Sequence, residues 1–329
     1  MAKADNGVAG SFYERNQMDI RTKNKVLKAK AIGWSNREIS RAFKVSVGSV
    51  SSICNSMTIP IWSKEQGQPL DLPAMMGDNF KVFSFPDMHI PDHDPVATRI
   101  ALKAHAYFKP DVTIVGNDFV QCTPFQRHNV DNMKDSSRFA EDFMASTVDP
   151  ANKMLDKIQD NTKLTVFQQG NHDAWIERWA ASNKGTEKAI YNMVSLEKNL
   201  ASCRADFVWM PTYGTPVKLH DDRMSVHGWS YSKHAANQHL IRSKTKSVMF
   251  HHTHRMQSDA TSDNWSGDSI EAKSAGCLCL KKPTYGIGNP TDWVHGFWVS
   301  FVGKHSSTAY AIMINKGKAV MPDGKEIKS

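Results

Sequence analysis

The sequence has no apolar run near the length of about 20 residues that a membrane-spanning helix needs, and its first residues, MAKADNGVAG, lack the apolar core of a secretion signal. These absences exclude a membrane-spanning helix and give the expectation of a cytoplasmic protein with no membrane partner. Cysteine is scarce and unpatterned. The five (Cys54, Cys122, Cys203, Cys277, Cys279) are odd in number, and Cys277-Leu278-Cys279 is too tight for the usual zinc spacing. Free thiols in a reducing compartment are the reading that follows. Internal repeats and low-complexity tracts are absent. Acidic residues are few in the first 60 positions, four against ten Lys or Arg, so this segment carries +6 of the chain's net +8.

That asymmetry points to an N-terminal segment that meets a polyanion, most often nucleic acid. The pattern there is helical. Ile20 to Ile32 is basic with an apolar side. Gly33-Trp34 breaks it. Ser35, with Glu38 three residues on, makes a capping box for a short helix through Phe43. Lys44-Val45 makes a turn, and Ser46 caps a second short helix from Val47 to Asn55. Two short helices joined by a tight turn form the helix-turn-helix pattern. The stretch WSNREISRAFKVSVGSVSSI resembles the helix-turn-helix of resolvases and small phage DNA-binding domains, without the usual turn glycine. The resemblance implies recognition positions at Ser46, Gly48, Ser49, Ser51 and Ser52. These side chains suit phosphate and water-mediated contacts, so weak sequence specificity is expected. A helical pair that binds protein, or packs on the rest of the chain, is the alternative.

At 329 residues the natural division is one large and one small domain. We expect a basic helix-turn-helix segment over 1–56. Residues 57–78, with three prolines, two glycines and no periodicity, read as a linker. A catalytic domain then spans 79–329. From Lys81 strand-like and helix-like runs alternate. Strands are expected at Lys81–Phe85, Asp111–Val115, Lys163–Phe167, Arg223–Val226 and Ser247–Phe250. Helices are expected at Asp94–Phe108, through most of Asn132–Asp160, and at Ala174–Asn183 and Glu187–Leu200. This is an α/β pattern with largely parallel strands. Later strands at Ser274–Leu280, Val294–Val302 and Ala309–Asn315 are expected to complete a second sheet.

Five short motifs sit at the ends of these strands: Asp87-Met88-His89, Val115-Gly116-Asn117-Asp118, Gly170-Asn171-His172-Asp173, Val226-His227-Gly228 and His252-Thr253-His254. In parallel sheets the site lies outside the carboxyl ends of the strands. Each motif alone is weak, since a single His is more often a satisfied core residue than a ligand. In this order they read as a two-metal site for phosphate-ester hydrolysis. Two divalent ions held about 4 Å apart activate a water and neutralise a phosphate in flight, which requires a bridging carboxylate. Asp118 is the bridging candidate. Asp87, His89 and His254 complete one metal set; Asn171, His227 and His252 complete the other. Mixed Asp/His/Asn ligation favours Mn²⁺, with Fe or Zn²⁺ as alternatives. His172 is the natural general acid for the leaving oxygen, and a metal-activated water the nucleophile.

Residues 80–256 resemble the calcineurin-like metallophosphoesterase family, whose pattern is D-x-H, G-D-x-x-D, G-N-H-D/E, a lone H and G-H-x-H. The stretches VGNDFVQCTPFQR, GNHDAWIERW and VHGWSYSKHAANQHL look most like its phage-borne branch, which would make the location a host cytoplasm. The resemblance implies a four-layer α/β/β/α sandwich and agrees with the metal and acid roles above. The sequence departs from the pattern at three positions. Asn117 stands between glycine and the bridging aspartate. Gln121 replaces the second aspartate and cannot offset an imidazolium charge. His251 replaces the glycine before H-x-H.

Arg127, His128, Arg178, His251 and Arg255 lie near the motifs and could hold substrate phosphate, Arg by bidentate contact. A surface arginine paired with its neighbour Glu177 is an equal reading for Arg178. Trp175, Trp179 and Trp229 could stack on bases or pack in the core. The function expected is a metal-dependent phosphodiesterase or nuclease acting on DNA. The alternatives are a phosphomonoesterase of the protein Ser/Thr phosphatase kind, with the N-terminal helices as a docking element, and a DNA-binding protein with a degraded metal site.

Overall fold

The computed structural model describes residues 19–31, 34–55, 69–126, 136–182, 187–210, 212–262, 267–282 and 291–329. Three short helices come first: α1 (Ile20–Ala31), α2 (Asn36–Phe43) and α3 (Val47–Asn55). The Ser35 hydroxyl accepts from Glu38 N and the Glu38 carboxylate accepts from Ser35 N, closing the capping box. Lys44 ends α2 at φ 54°, so the turn closes left-handed without glycine. Ser46 Oγ then accepts from Ser49 N at the start of α3. Val26, Leu27, Ile39, Val50 and Ile53 form a small core among the three helices.

α1 is fastened to the rest of the chain. Arg21 pairs with Asp160, Lys23 with Asp206 and Lys28 with Asp156. Asn24 donates to Gln159 and accepts from Ala205 N. Three of the charges that suggested a polyanion therefore meet carboxylates of the α/β body instead. Arg37, Arg41 and Lys44 remain exposed along one side of α2 and its C-cap.

The body begins earlier than expected. Residues 57–68 of the expected linker lie outside the described residues. Its second half is folded: β1 (Leu70–Asp71) pairs with Val217 and Lys218, and α4 (Leu72–Met76) follows, capped by Asp71. Leu70 and Leu72 are fully buried, which a solvated linker would not do. Next come β2 (Phe80–Ser84), α5 (Pro95–Phe108) and β3 (Val112–Gly116). α6 (Ser136–Phe143) runs through a π-helical turn, Met144–Val148, into α7 (Asp149–Gln159). After β4 (Leu164–Gln168) come α8 (Trp175–Ser182), α9 (Glu187–Val194) and β5 (Phe207–Met210). The chain then forms β6 (Val217–His220), β7 (Arg223–Val226), α10 (Ala235–Ser243), β8 (Ser247–Phe250), β9 (Met256–Ser262) and β10 (Ser269–Ala275). It closes with β11 (Gly296–Val302), β12 (Ser307–Met313) and a small hairpin of β13 (Lys318–Val320) and β14 (Glu326–Lys328).

Two six-stranded sheets result, ordered β12-β11-β2-β3-β4-β5 and β1-β6-β7-β8-β10-β9. β2 to β5 are parallel, as are β7, β8 and β10. Alternation along the strands gives each sheet two apolar faces. Val82, Ile114 and Val166 meet Val217, Leu219 and Met249 between the sheets. Phe83, Val115 and Phe167 face the other way, against Ile100, Leu155 and Ile158 of the helices. Ala236 and Leu240 of α10 cover Val248 and Phe250. The layers thus run helix, sheet, sheet, helix.

The expected strand Ser274–Leu280 ends at Ala275, because Gly276 (φ 82°) turns the chain. β11 and β12 join the first sheet rather than the second. Antiparallel β11 covers the open edge of β2, with Trp298 opposite Ser84. No described helix is long and apolar enough to cross a membrane.

Candidate metal centre

The loops after β2, β3, β4, β7 and β8 converge at the strand carboxyl ends and carry the five motifs. Their backbones are unusual. Asp87, His89, Asn117, Asp118, His252 and His254 all have positive φ, between 39° and 71°. Non-glycine residues occupy this region rarely and at a cost of about 1–3 kcal/mol each, and such strain clusters at functional sites. Glycines make room around them. A Cβ at Gly170 would sit 2.1 Å from Asp118 N and 2.2 Å from its Oδ1, and one at Gly116 would sit 2.1 Å from Gln168 O. Asp173 is buried beneath. Its carboxylate accepts from the backbone N–H groups of Asp118, Phe119, Val120 and Gly170, fixing the loop that carries Asp118.

Two triads overlap at Asp118, Asp87–His89–Asp118 and Asp118–His227–His252, and a third, His89–His254–Cys279, shares His89 with the first. His227 Nε2 lies 2.9 Å from Asn171 Oδ1, 3.1 Å from His252 Nδ1 and 3.3 Å from Asp118 Oδ2. His89 Nε2 lies 3.2 Å from His254 Nε2, and His254 Nε2 is 3.4 Å from Asp87 Oδ1. All seven expected ligands are therefore together, and all but Asn171 and His252 are buried.

Burial pushes His252 and His254 down to about 4 and lowers His89, so these rings are neutral near pH 7 and present bare nitrogens. Burial raises the Asp118 carboxyl, but His227, His172 and His89 around it win and hold it well below the usual carboxylate range. Burial lowers His227, yet Asp118 beside it outweighs this and raises it. Asp87 is pushed up to about 7, by burial first. Acceptor atoms converging in a buried space need a cation between them. Ligand atoms on bonds of about 2.1 Å at right angles would stand about 3 Å apart, the spacing found here. The residues fit a bound metal ion.

His172 is held from three sides. Its backbone N–H donates to Asp118 Oδ1 at 2.7 Å, its ring stacks on Trp175 at 3.9 Å, and its Nδ1 lies 2.9 Å from Gln121 Oε1. The same Gln121 oxygen lies 2.6 Å from His89 Nδ1. One carbonyl thus accepts from two imidazoles and turns both Nε2 atoms toward the site. Burial pushes His172 down to about 4.

The other expected residues divide. Arg127 and His128 lie outside the described residues. Arg178 is exposed over the Tyr213 ring at 5.2 Å. Arg255 donates to Tyr231 O and pairs with Asp292. His251 does not open toward a substrate: it is fully buried between the sheets, where its Nε2 accepts from Trp298 Nε1 at 3.2 Å. Trp179 is buried against Phe125, and Trp229 stacks on His239. Trp175 alone of the three tryptophans stands at the site. Ser46 just before α3, and Gly48 and Ser52 on it, are exposed, whereas Ser51 accepts from Asn36 Nδ2 and Ser49 meets Ser46.

Sequence reasoning missed Cys279, whose Sγ lies 3.7 Å from His254 Nδ1, and Trp293, 4.2 Å from the same ring. Neither has a motif signal, because both reach the site from the segment before β11. Asp173 could have been found from the G-N-H-D run.

No protein-family model and no curated protein matches the sequence. Solved structures similar to this chain include a single mutant of Vps29 from Entamoeba histolytica, at 9% identity and TM-score 0.37, covering 76% of this chain and 99% of that one. Vacuolar protein sorting 29 from Cryptosporidium parvum is similar at 13% identity and TM-score 0.40, over 77% of this chain and 100% of that one. Vps29 from Chaetomium thermophilum is similar at 12% identity and TM-score 0.39, over 76% and 93%. Likenesses this distant carry no argument about the site.

Proposed function

We propose that this chain is a two-metal phosphoesterase of the calcineurin-like kind, acting as a phosphodiesterase or nuclease on DNA. The observation that carries the reading is the shared Asp118 carboxylate between two ligand triads at the strand ends. Asp87, His89, His254 and Asp118 would hold one ion; Asn171, His227, His252 and Asp118 the other. Mn²⁺ suits this set best, with Fe or Zn²⁺ as alternatives. When bound, the ions supply a nucleophilic water at neutral pH and charge neutralisation at the phosphate. The chain supplies the rest. Gln121 and Trp175 orient His172 so that its Nε2 can deliver a proton to the leaving oxygen. The negative charge of a bound ester opposes the burial that keeps this ring neutral.

The DNA part of the reading rests on the N-terminal helices. With α1 occupied by its ion pairs, Arg37, Arg41 and Lys44 become the phosphate-contacting groups, beside exposed Ser46 and, on α3, Gly48 and Ser52. The ion-paired seat of α1 also favours a second reading, a phosphomonoesterase in which these helices dock a protein partner.

The test is hydrolysis with Mn²⁺ of a phosphate bis-ester, a mono-ester and labelled single- and double-stranded DNA. Bis-ester and DNA cleavage, lost in Asp118→Asn and His172→Ala, is expected. Mono-ester turnover without DNA cleavage sinks the nuclease reading. No turnover at any metal concentration sinks both and leaves a DNA-binding protein. Arg37→Ala with Arg41→Ala should flatten the salt dependence of DNA affinity by about two phosphate contacts.

A further inference from the structure

Four aromatic side chains stand one contact outside the candidate metal centre, each against a different histidine. The Trp175 ring stacks on His172 at 3.9 Å. Tyr213 meets His227 edge-on at 5.9 Å, Tyr231 meets His252 at 5.8 Å, and Trp293 meets His254 at 4.2 Å. They come from four separate connections: the first turn of α8, the β5–β6 loop, the β7–α10 loop and the segment before β11. None of the four is buried, and Tyr231 is 75% exposed. The Arg178 guanidinium lies over the Tyr213 ring, placing a cation in the same rim.

A polar centre built for a phosphate does not by itself call for four rings around it, one exposed and three half-buried. Exposed apolar faces grouped about a site mark what the ligand covers. Ring faces bind nucleobases by stacking, whatever the base, at about 1–3 kcal/mol for each. A base inside a duplex already has both faces covered, so it cannot stack on them without being unstacked first.

We propose that the site takes a phosphoester flanked by unstacked nucleobases, as in single-stranded nucleic acid or at a free nucleotide end, with bases lying on Tyr231 and Trp293. This rests on the phosphoesterase reading of the same centre. Arg178 over Tyr213 supplies a cation for a neighbouring phosphate.

The experiment compares two labelled strands of equal length and charge, an oligothymidylate and its abasic counterpart. Binding is followed by fluorescence anisotropy on the full chain with Mn²⁺ present, with phosphorothioate linkages in both strands to suppress cleavage. The oligothymidylate should bind at least about tenfold more tightly. Tyr231→Ala should remove about tenfold of that preference and leave the abasic affinity unchanged, while Tyr231→Phe, which keeps the ring, should retain it. Because Tyr231 is exposed, neither variant threatens the fold. Thymidine monophosphate as competitor separates the sources: displacement shows that a single nucleotide suffices, and displacement by strand alone shows that flanking phosphates are required. Equal affinity for the two strands, no binding of either, or a preference untouched by Tyr231→Ala overturns the proposal. The phosphoesterase reading fails separately, through the absence of bis-ester hydrolysis with Mn²⁺. Base preference can therefore be lost while hydrolysis stands, and the reverse.

Discussion

Replacing Gln121 with methionine would test how the site orients His172, the proposed proton donor. The Gln121 carbonyl is the acceptor for Nδ1 of both His89, at 2.6 Å, and His172, at 2.9 Å, while its amide donates to Thr123 Oγ1. Methionine keeps the volume and removes the acceptor. Two imidazole N–H groups then lose their partner in a buried setting, at about 1–3 kcal/mol each. One of them belongs to a candidate metal ligand, where loss of such a supporting contact costs roughly 10–100-fold in metal affinity. The other belongs to His172, and the whole contribution of a proton donor in the role proposed for it is roughly 10²–10⁴-fold in rate. Gln121→Met should therefore weaken Mn²⁺ binding by about tenfold and lower kcat by a further 10–100-fold, with KM for a bis-ester little changed. Gln121→Glu keeps both acceptor contacts, and Thr123 can donate to it, so metal affinity should return. Calorimetric Mn²⁺ titration and steady-state kinetics at saturating metal read the two effects apart, and thermal unfolding checks the fold. If Gln121→Met binds Mn²⁺ and turns over within twofold of the parent, this carbonyl does not orient the two rings.

Three further outcomes follow from other parts of the fold. Leu70→Ala should destabilise by about 2–5 kcal/mol in urea unfolding, because Leu70 is buried between the sheets; a solvated linker residue would cost almost nothing. Gly170→Ala should abolish Mn²⁺ binding in calorimetry while leaving the far-ultraviolet spectrum intact, since its Cβ would collide with Asp118; retained binding would refute the close approach. His105, buried against Phe83 and Phe85, is pushed down to about 3 by burial. Its folded pKa lies below its unfolded one, so the unfolded chain takes up the proton first and stability falls as pH falls below about 6.5. His105→Gln should remove that dependence: the stability difference between parent and variant should change by about 1.4 kcal/mol per pH unit from about pH 6 to about pH 4. A constant difference would show that His105 titrates normally.

β2, β3 and β4 of the first sheet and the helices between them were readable because their apolar runs are local and end at turn residues, whereas the short apolar run of β5 at its edge was missed. The Ser35–Glu38 box starts α2 where the sequence puts it, and α5 lies within the expected run Asp94–Phe108, with Asp94 as its cap. β1, β6 and β9 were not readable. Their residues are short, partly polar runs whose strand character comes from the neighbour they pair with, as Leu70 does with Val217. The destination of β11 was hidden for the same reason: an apolar strand fits either sheet, and only the open edge of β2 selects one.

For the centre, the sequence by itself determined the candidate ligand types and their order along the chain, because side-chain chemistry is carried by residue identity. It also located them at strand ends. Only the tertiary structure decided which atoms share a space. It put Asp118 in two triads, gave one Gln121 oxygen to two imidazoles, and sent His251 beneath the site rather than into it. It reassigned three basic side chains of α1 from a supposed polyanion to Asp160, Asp206 and Asp156. A charge in a sequence has no partner until folding brings one within reach, and Coulomb energy depends on that distance.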